Sequence, residues 1–299
     1  SGGLDEGDIK TQYIANGETA FTEAPWLYKR DGKYYTFYAA GWREAMAYAV
    51  SDDLSDNTWL YGGIIMPPTA TSNTNHPSVI DFNGKTYFIY HNGMLPNGSG
   101  YRRSICIQEL SFDEDGNVLP LTEMSTGLDG TPTTIIDRSG GYIAHEEFTN
   151  SYADSDYPIN RPVTVSASED ALNTAWEIVP GLADPSNENY VSIQSVNKPG
   201  LYIGVINNNV VLTQDSTGAM GDILTFKTVE ALDGGDGVSF ESVSRSGVFL
   251  TSDNGTLTVS YGRNPEAASF TVGGEVSPTP VPTPAPTPAQ VPDADNSFE

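Results

Sequence analysis

Short apolar and aromatic runs, each bounded by turn-forming residues, recur along most of the chain. Residues 34–38 (YYTFY) favour a strand, and they follow the turn-forming sequence Arg30-Asp31-Gly32. The apolar run at residues 26–28 precedes the same turn, so residues 25–40 are predicted to form a β-hairpin. Because long helical periodicity is absent, the predicted fold class is all-β.

A second hairpin is predicted at residues 75–93, where the turn Asn83-Gly84 separates a short apolar strand from the aromatic run at residues 87–90. Between the two hairpins, residues 46–51 have the composition of a further strand. The two regions therefore resemble each other in outline. Two similar four-stranded units of this length are typical of propeller blades.

The second half of the chain contains an internal repeat. The sequence VSIQSV at residues 191–196 recurs as VSFESV at residues 238–243, and each is followed by a similar apolar strand. A looser copy begins near Gly141 and carries extra polar residues at 149–158. Three copies of about 45 residues, each with about four short strands, predict a β-trefoil.

The composition changes again from residue 276, where proline and threonine alternate. Such a sequence cannot build a core and predicts an extended, semi-rigid linker of the secreted, modular type. The predicted division is a partial propeller at residues 1–125, a trefoil at 126–275 and a linker at 276–299. We expect further modules at both ends and an extracellular location.

The charge of the chain restricts its partners. A formal net charge of −25 argues against nucleic acid and anionic membranes and is compatible with neutral polymers. A single cysteine, Cys106, excludes an internal disulfide, and no hydrophobic stretch is long enough to span a membrane.

Glu23 is the first candidate for chemistry. It lies just before the first predicted hairpin, beside Ala24, Pro25 and Trp26. Desolvation by such neighbours would raise the pKa of the carboxyl group, which would suit a general acid. The alternative is a solvated glutamate at the start of a strand.

Several motifs in the first 122 or so residues resemble glycoside hydrolase family 43. They are EAPWLYKRDGKYYTFYAAG, YAVSDDL, NHPSVIDFNGKTYFIYHNG and LPNGSGYRRSICIQEL, in that order. The resemblance is greatest to the family's α-L-arabinofuranosidases and β-xylosidases. It implies a five-bladed β-propeller that inverts the anomeric centre with an Asp base, a second Asp that tunes the acid, and a Glu acid. Glu23 matches that acid.

The two Asp motifs of the family have no counterpart before Glu23, where the only aspartates are Asp5 and Asp8. An inverting hydrolase needs two carboxyl groups about 6.5–9.5 Å apart. The expectation is therefore that the chain is the C-terminal part of a longer enzyme and holds about two of five blades.

The same resemblance suggests further site residues. His76 matches a histidine near the propeller axis, close to a bound structural calcium or its water shell, and His91 is an alternative that could equally be a satisfied polar residue. An arginine in this region contacts the sugar, and Arg103 is preferred to Arg102, although a surface arginine remains possible. Trp26 could be a platform for the sugar ring or a core residue.

The repeat motifs VPGLADP, VSIQSVNKPGLYI and VSFESVSRSGVFL resemble the arabinofuranose-binding β-trefoil, carbohydrate-binding module family 42. In that family a His and a later acidic residue bind the sugar. Only the first copy keeps this pattern, with His145 and Asp170, because the other copies have Gly204-Val205 and Thr251-Ser252 at the position of the His. The alternative is that all three copies are structural.

Together these features predict an inverting glycoside hydrolase that releases α-L-arabinofuranosyl groups from plant cell wall arabinoxylan or arabinan. Two alternatives stay open. The protein could be a β-xylosidase, because the family contains both activities, or this chain could be a non-catalytic carbohydrate-binding fragment.

Overall fold

The computed structural model describes residues 21–54, 59–148, 160–170 and 172–273. Within these ranges there are nineteen strands and one short 3-10 helix, Glu266–Ala268, so the all-β prediction is confirmed. None of the described helices is long and apolar enough to cross a membrane. The predictions for residues 1–20, 149–158 and 276–299, which include Asp5, Asp8 and the Pro/Thr-rich linker, lie outside the described residues.

The first sheet is antiparallel with the order β1-β2-β3-β4. Its strands are β1 (Phe21–Arg30), β2 (Lys33–Ala40), β3 (Ala45–Ser51) and β4 (Leu60–Met66). Asp31 and Gly32 connect β1 to β2 with φ values of 48° and 82°. A two-residue turn with positive φ at both positions matches the twist of the flanking strands, so the predicted hairpin forms.

The second sheet has three strands in the order β5-β6-β7, where four were predicted. They are β5 (Ser78–Phe82), β6 (Lys85–Asn92) and β7 (Ser104–Glu109). After β7 the chain forms an isolated bridge between Phe112 and Val118 in place of a fourth strand. Asp113 accounts for this difference, because its carboxylate accepts hydrogen bonds from the backbone N–H groups of Asp115 (2.9 Å) and Asn117 (2.8 Å) and closes a turn.

The two small sheets, which are blade-like units, share one hydrophobic core. Phe37, Met46 and Phe88 are fully buried within it. Hydrogen bonds also join the sheets: Trp26 Nε1 donates to the carbonyl of Val79 at 2.9 Å. These contacts fix the relative position of β1 and β5, and this matters because the candidate site lies where those two strands begin.

The remaining twelve strands form a three-fold repeated sheet. The first repeat contains β8 (Thr134–Asp137), β9 (Tyr142–His145), β10 (Asn160–Ser166) and β11 (Trp176–Pro180). The second contains β12 (Tyr190–Ser195), β13 (Leu201–Ile206), β14 (Asn209–Gln214) and β15 (Phe226–Glu230). The third contains β16 (Val238–Ser242), β17 (Phe249–Asp253), β18 (Thr256–Ser260) and β19 (Phe270–Gly273).

The pairing of these strands is that of a β-trefoil. The last strand of each repeat pairs with the first strand of the next, through β11–β12, β15–β16 and β19–β8, so the ring closes. The middle strands of each repeat pair with each other. The residues that begin the last strands, Trp176, Phe226 and Phe270, are all buried in the common core. The predicted trefoil is thereby confirmed.

The trefoil contacts the blade-like sheets directly. Ser125 N–H donates to the carbonyl of Val196 at 2.8 Å, and Asn97 N–H donates to the carbonyl of Asp215 at 2.7 Å. The boundaries at residues 125 and 275 stay predictions.

Candidate active site

Glu23 lies on an irregular part of β1. The register between β1 and β2 shifts on both sides of the pair Glu23–Ala39, and Ala24 has a φ of 55°. Such bulges change the direction of a side chain and are common beside active sites. The Glu23 side chain is half-exposed, with a relative exposure of 50%. The bulge therefore presents this carboxylate at the surface instead of enclosing it in the aromatic core.

Glu23 belongs to a cluster with His76 and Glu44. Its Oε1 lies 3.0 Å from His76 Nε2. Glu44 lies in the connection between β2 and β3, is buried, and accepts a hydrogen bond of 2.6 Å from the backbone N–H of Asn75. One potential ligand atom from each of Glu23, Glu44 and His76 lies within 4.8 Å of the other two.

The pKa of Glu23 is lowered, and this contradicts the prediction that desolvation would raise it. The largest cause is the hydrogen bond to His76, and the opposing effect of burial is smaller. The pKa of Glu44 is raised, chiefly because burial penalises its charged form. The two carboxyl groups therefore prefer different protonation states: Glu44 keeps its proton more readily than Glu23 does.

His91, on strand β6, packs against His76 of the cluster. It is buried, its ring meets that of His76 edge-on at a centroid distance of 5.4 Å, and neither ring nitrogen has a hydrogen-bond partner among the described residues. Burial, with the charges of Arg103 and His76, lowers the pKa of His91 to about 4. His91 is thus neutral at physiological pH and contributes no positive charge to the cluster.

The hydrogen bond to His76 is the main cause of the lowered pKa of Glu23, and the positive charge of Arg103 adds a smaller lowering effect. Arg103 is exposed, and its Nε donates to the carbonyl of Gly100 at 2.7 Å. Trp26 is not a core residue: its indole N–H is bonded to the carbonyl of Val79, but 38% of the residue is exposed. Part of the ring is therefore free to contact a ligand.

Glu44 was not identified from the sequence. It follows Gly41, Trp42 and Arg43 in a connection without a recognisable motif, and the only available signal was a charged residue directly before the apolar strand β3. Its proximity to Glu23 arises only when the β2–β3 connection meets the segment around Asn75.

The trefoil residues His145 and Asp170 are both engaged by protein groups. His145 is buried; its Nε2 lies 3.0 Å from Ser195 Oγ and 3.1 Å from Asn197 Oδ1. The Asp170 carboxylate accepts hydrogen bonds from the backbone N–H groups of Leu172 (2.9 Å) and Asn173 (3.0 Å). The pKa of Asp170 is lowered: burial alone would raise it, but the hydrogen bonds from Asn173 and Leu172 outweigh that effect, and His145 adds a smaller lowering effect.

The donors around His76 do not fit the expected calcium. Calcium prefers six to eight oxygen ligands, whereas the cluster combines one imidazole with two carboxylates. His76 Nε2 is also already bonded to Glu23. A mixed nitrogen and carboxylate set is more typical of a transition metal ion. No catalytic step is therefore assigned to calcium.

Comparisons with known proteins agree with this architecture. Residues 3–118 match the model of glycosyl hydrolases family 43, and residues 136–272 match that of the alpha-L-arabinofuranosidase B (ABFB) domain. The first part of the chain is therefore similar to glycoside hydrolase family 43. The trefoil that follows is similar to the ABFB domain, in agreement with its resemblance to carbohydrate-binding module family 42.

Individual relatives match about a third of the chain or slightly more. A xylosidase/arabinosidase of Bacteroides ovatus is 33% identical over 40% of this chain and 35% of its own length. A beta-xylosidase of Xylanibacter ruminicola is 34% identical over 33% of this chain and 30% of its own length. The solved GH43_1 enzyme from Xanthomonas citri complexed with xylose is 30% identical, with a TM-score of 0.33 over 34% of this chain and 30% of that one. The chain thus spans about a third of the length of these relatives.

Proposed function

We propose that the whole protein is an inverting glycoside hydrolase that releases α-L-arabinofuranosyl groups from arabinoxylan or arabinan. The observation that carries this proposal is the half-exposed Glu23, which a bulge places beside His76 and Glu44 in a domain similar to family 43. The attached ABFB-like domain favours an arabinosylated polymer as the substrate.

In this mechanism Glu23 protonates the departing glycosidic oxygen. The group must hold a proton when the substrate is bound, although its hydrogen bond to His76 lowers its pKa in the free protein. A sugar bound over Glu23 would exclude water and raise that pKa, because desolvation penalises the carboxylate. Glu44, whose pKa is raised chiefly by burial, does not assist this shift in the free protein, because its hydrogen bond to Glu23 lowers the pKa of Glu23.

Glu44 does not have the position of the catalytic base. Its carboxylate atom lies within 4.8 Å of that of Glu23, whereas an inverting pair is separated by about 6.5–9.5 Å so that a water molecule fits between them. We propose that the base is an aspartate outside the described residues. Arg103, exposed and close to Glu23, would bind the sugar in the pocket.

The second candidate is a β-xylosidase. The name of one relative, beta-xylosidase, and that of another, xylosidase/arabinosidase, favour it. Chromatography of the sugars released from arabinoxylan separates the two proposals: arabinose supports the first and xylose the second. Binding to the polymer without release of either sugar would leave a non-catalytic carbohydrate-binding protein.

The trefoil would hold the enzyme on plant cell wall polysaccharide and raise the local substrate concentration. The proposed location is extracellular, where this polymer occurs. The Pro/Thr-rich composition after residue 276, which is typical of secreted modular proteins, supports that location.

We expect His145→Ala to reduce the affinity for arabinoxylan about tenfold, the equivalent of one lost hydrogen bond to the sugar or to the pocket wall. Retention of the protein in an affinity gel that contains arabinoxylan measures this change in affinity. Because His145 is buried, Asp170→Asn serves as a second variant that preserves the shape of the side chain. Ser252→Ala, at the corresponding position of the third repeat, is the control and should not change retention. Unchanged retention of both pocket variants would show that the first repeat is only structural.

A further inference from the structure

The connection between β6 and β7, residues 93–103, lies between the trefoil and the candidate active site. Its early residues contact the second trefoil repeat. Its last residue is Arg103, whose charge acts on Glu23 and His91. We call this segment the β6–β7 loop.

Gln214, the last residue of β14, forms hydrogen bonds with the first half of this loop. It is 2% exposed, and its Nε2 donates to the carbonyls of both Gly93 (3.1 Å) and Gly98 (3.2 Å). One amide group thus bridges two points of the loop that are five residues apart in the chain. The adjacent Asp215 accepts a backbone hydrogen bond of 2.7 Å from Asn97.

The far side of the loop packs against the segment that carries His76. The carbonyl of Gly100 accepts hydrogen bonds from Arg103 Nε (2.7 Å) and Thr74 Oγ1 (3.3 Å). A Cβ atom at Gly100 would lie 2.0 Å from Asn73 Oδ1, so the contact leaves no free space. Asn73 in turn accepts a hydrogen bond of 3.3 Å from the backbone N–H of Glu44. The contacts therefore form a continuous path from Gln214 to the carboxyl cluster.

We propose that Gln214 is a positioning residue of the active site: through Gly93 and Gly98 it fixes the β6–β7 loop, and so fixes Arg103, whose Nε is bonded to the carbonyl of Gly100 in the same loop. The second trefoil repeat, which has Gly204-Val205 instead of the binding His, then serves the catalytic domain as a structural support. This inference rests on the proposed function of Glu23 and Arg103.

The test uses Gln214→Met, which keeps the length of the side chain but removes the donors. The substrate is an aryl arabinofuranoside, which contains no polymer for the trefoil to hold. We expect KM to increase about five- to tenfold, with a smaller change in kcat, because Arg103 would lose its fixed position. The control is Ser260→Ala, at the same register position of the third repeat, with KM unchanged.

A double-mutant cycle separates positioning from general destabilisation. If Gln214 acts through Arg103, the variant Gln214→Met/Arg103→Ala should have the same KM as Arg103→Ala alone. Additive effects, or an unchanged KM in Gln214→Met, would overturn the proposal. If Gln214→Met does not fold, Gln214→Asn, which shortens the reach of the amide, replaces it in the same cycle.

An NMR measurement that does not depend on activity distinguishes this inference from the proposed function. The chain contains three histidines, so their imidazole NMR signals can be assigned by single substitutions. Gln214→Met should shift the signals of His76 and His91 but not that of His145. Unchanged signals of His76 and His91 in Gln214→Met would reject the inference. If those signals shift in Gln214→Met but the wild type cleaves no glycoside, the inference is supported and only the proposed function is rejected.

Discussion

Replacement of Glu23 by glutamine should reduce the hydrolysis of arabinoxylan by about 10²- to 10⁴-fold, the usual contribution of a general acid. Glutamine keeps the shape of the side chain but has no proton to donate to the departing sugar oxygen. The bond to His76, 3.0 Å long in the native cluster, can still form because the glutamine oxygen accepts and its amide donates. The loss should therefore be in kcat with little change in folding.

The choice of substrate makes this experiment specific. An aryl glycoside with a good leaving group needs little protonation, so Glu23→Gln should affect it far less than the polymer. Glu109→Gln is the matched control, because Glu109 lies on the same domain but forms a surface ion pair with Lys85. Polymer hydrolysis that survives unchanged in Glu23→Gln would remove Glu23 from the mechanism.

Replacement of Glu123 by glutamine should change the pH dependence of stability. Glu123 is buried, and burial raises its pKa to about 7 from an ordinary value of 4.5. Its carboxylate accepts hydrogen bonds from Ala70 N–H (2.8 Å) and Asn92 Nδ2 (2.7 Å). These hydrogen bonds lower the pKa, but the desolvation effect is larger.

Proton binding by Glu123 determines whether the free energy of unfolding rises or falls with pH. Between pH 4.5 and about 7 the native state keeps the proton of Glu123 while the unfolded state has lost it, so the contribution of this group to the free energy of unfolding falls as the pH rises. The loss is about 1.4 kcal/mol per pH unit, or about 3 kcal/mol over the window. His91 has the opposite effect between pH 6.5 and about 4, because its pKa is lowered.

The two effects nearly cancel in the wild type over part of this range, so the measurement must compare the variant with the wild type. Urea unfolding at several pH values gives the free energy of unfolding of each. The difference between Glu123→Gln and wild type should increase by about 3 kcal/mol from pH 4.5 to 7, whatever constant offset the lost hydrogen bond adds. A difference that does not vary with pH would show that Glu123 ionises normally in the folded protein.

Local sequence signals were sufficient for most of the fold. The turns Asp31-Gly32 and Asn83-Gly84 specify two-residue hairpins because both positions of each adopt positive φ. The trefoil could be predicted because each repeat places a large aromatic residue, Trp176, Phe226 or Phe270, at the start of its last strand. The fourth strand that was predicted after β7 does not form, because the side chain of Asp113 closes a turn there.

The candidate site was less predictable, because its chemistry depends on contacts between distant segments. Glu23 could be identified from its surrounding motif, but the direction of its pKa shift depends on His76, 53 residues away. Glu44 carries no motif and becomes significant only through burial beside Asn75. The role of the second trefoil repeat is likewise invisible in the sequence, since Gln214 contacts residues more than 100 positions earlier.

The most direct test of the central claim is an NMR measurement of the first sugar released from arabinoxylan by the wild type and by Glu23→Gln. We predict free arabinose that appears first as the β anomer, because inversion changes the configuration of the α-linked sugar, and release that is about 10²- to 10⁴-fold slower in the variant. Arabinose that appears first as the α anomer, or equal release by both proteins, would contradict this claim.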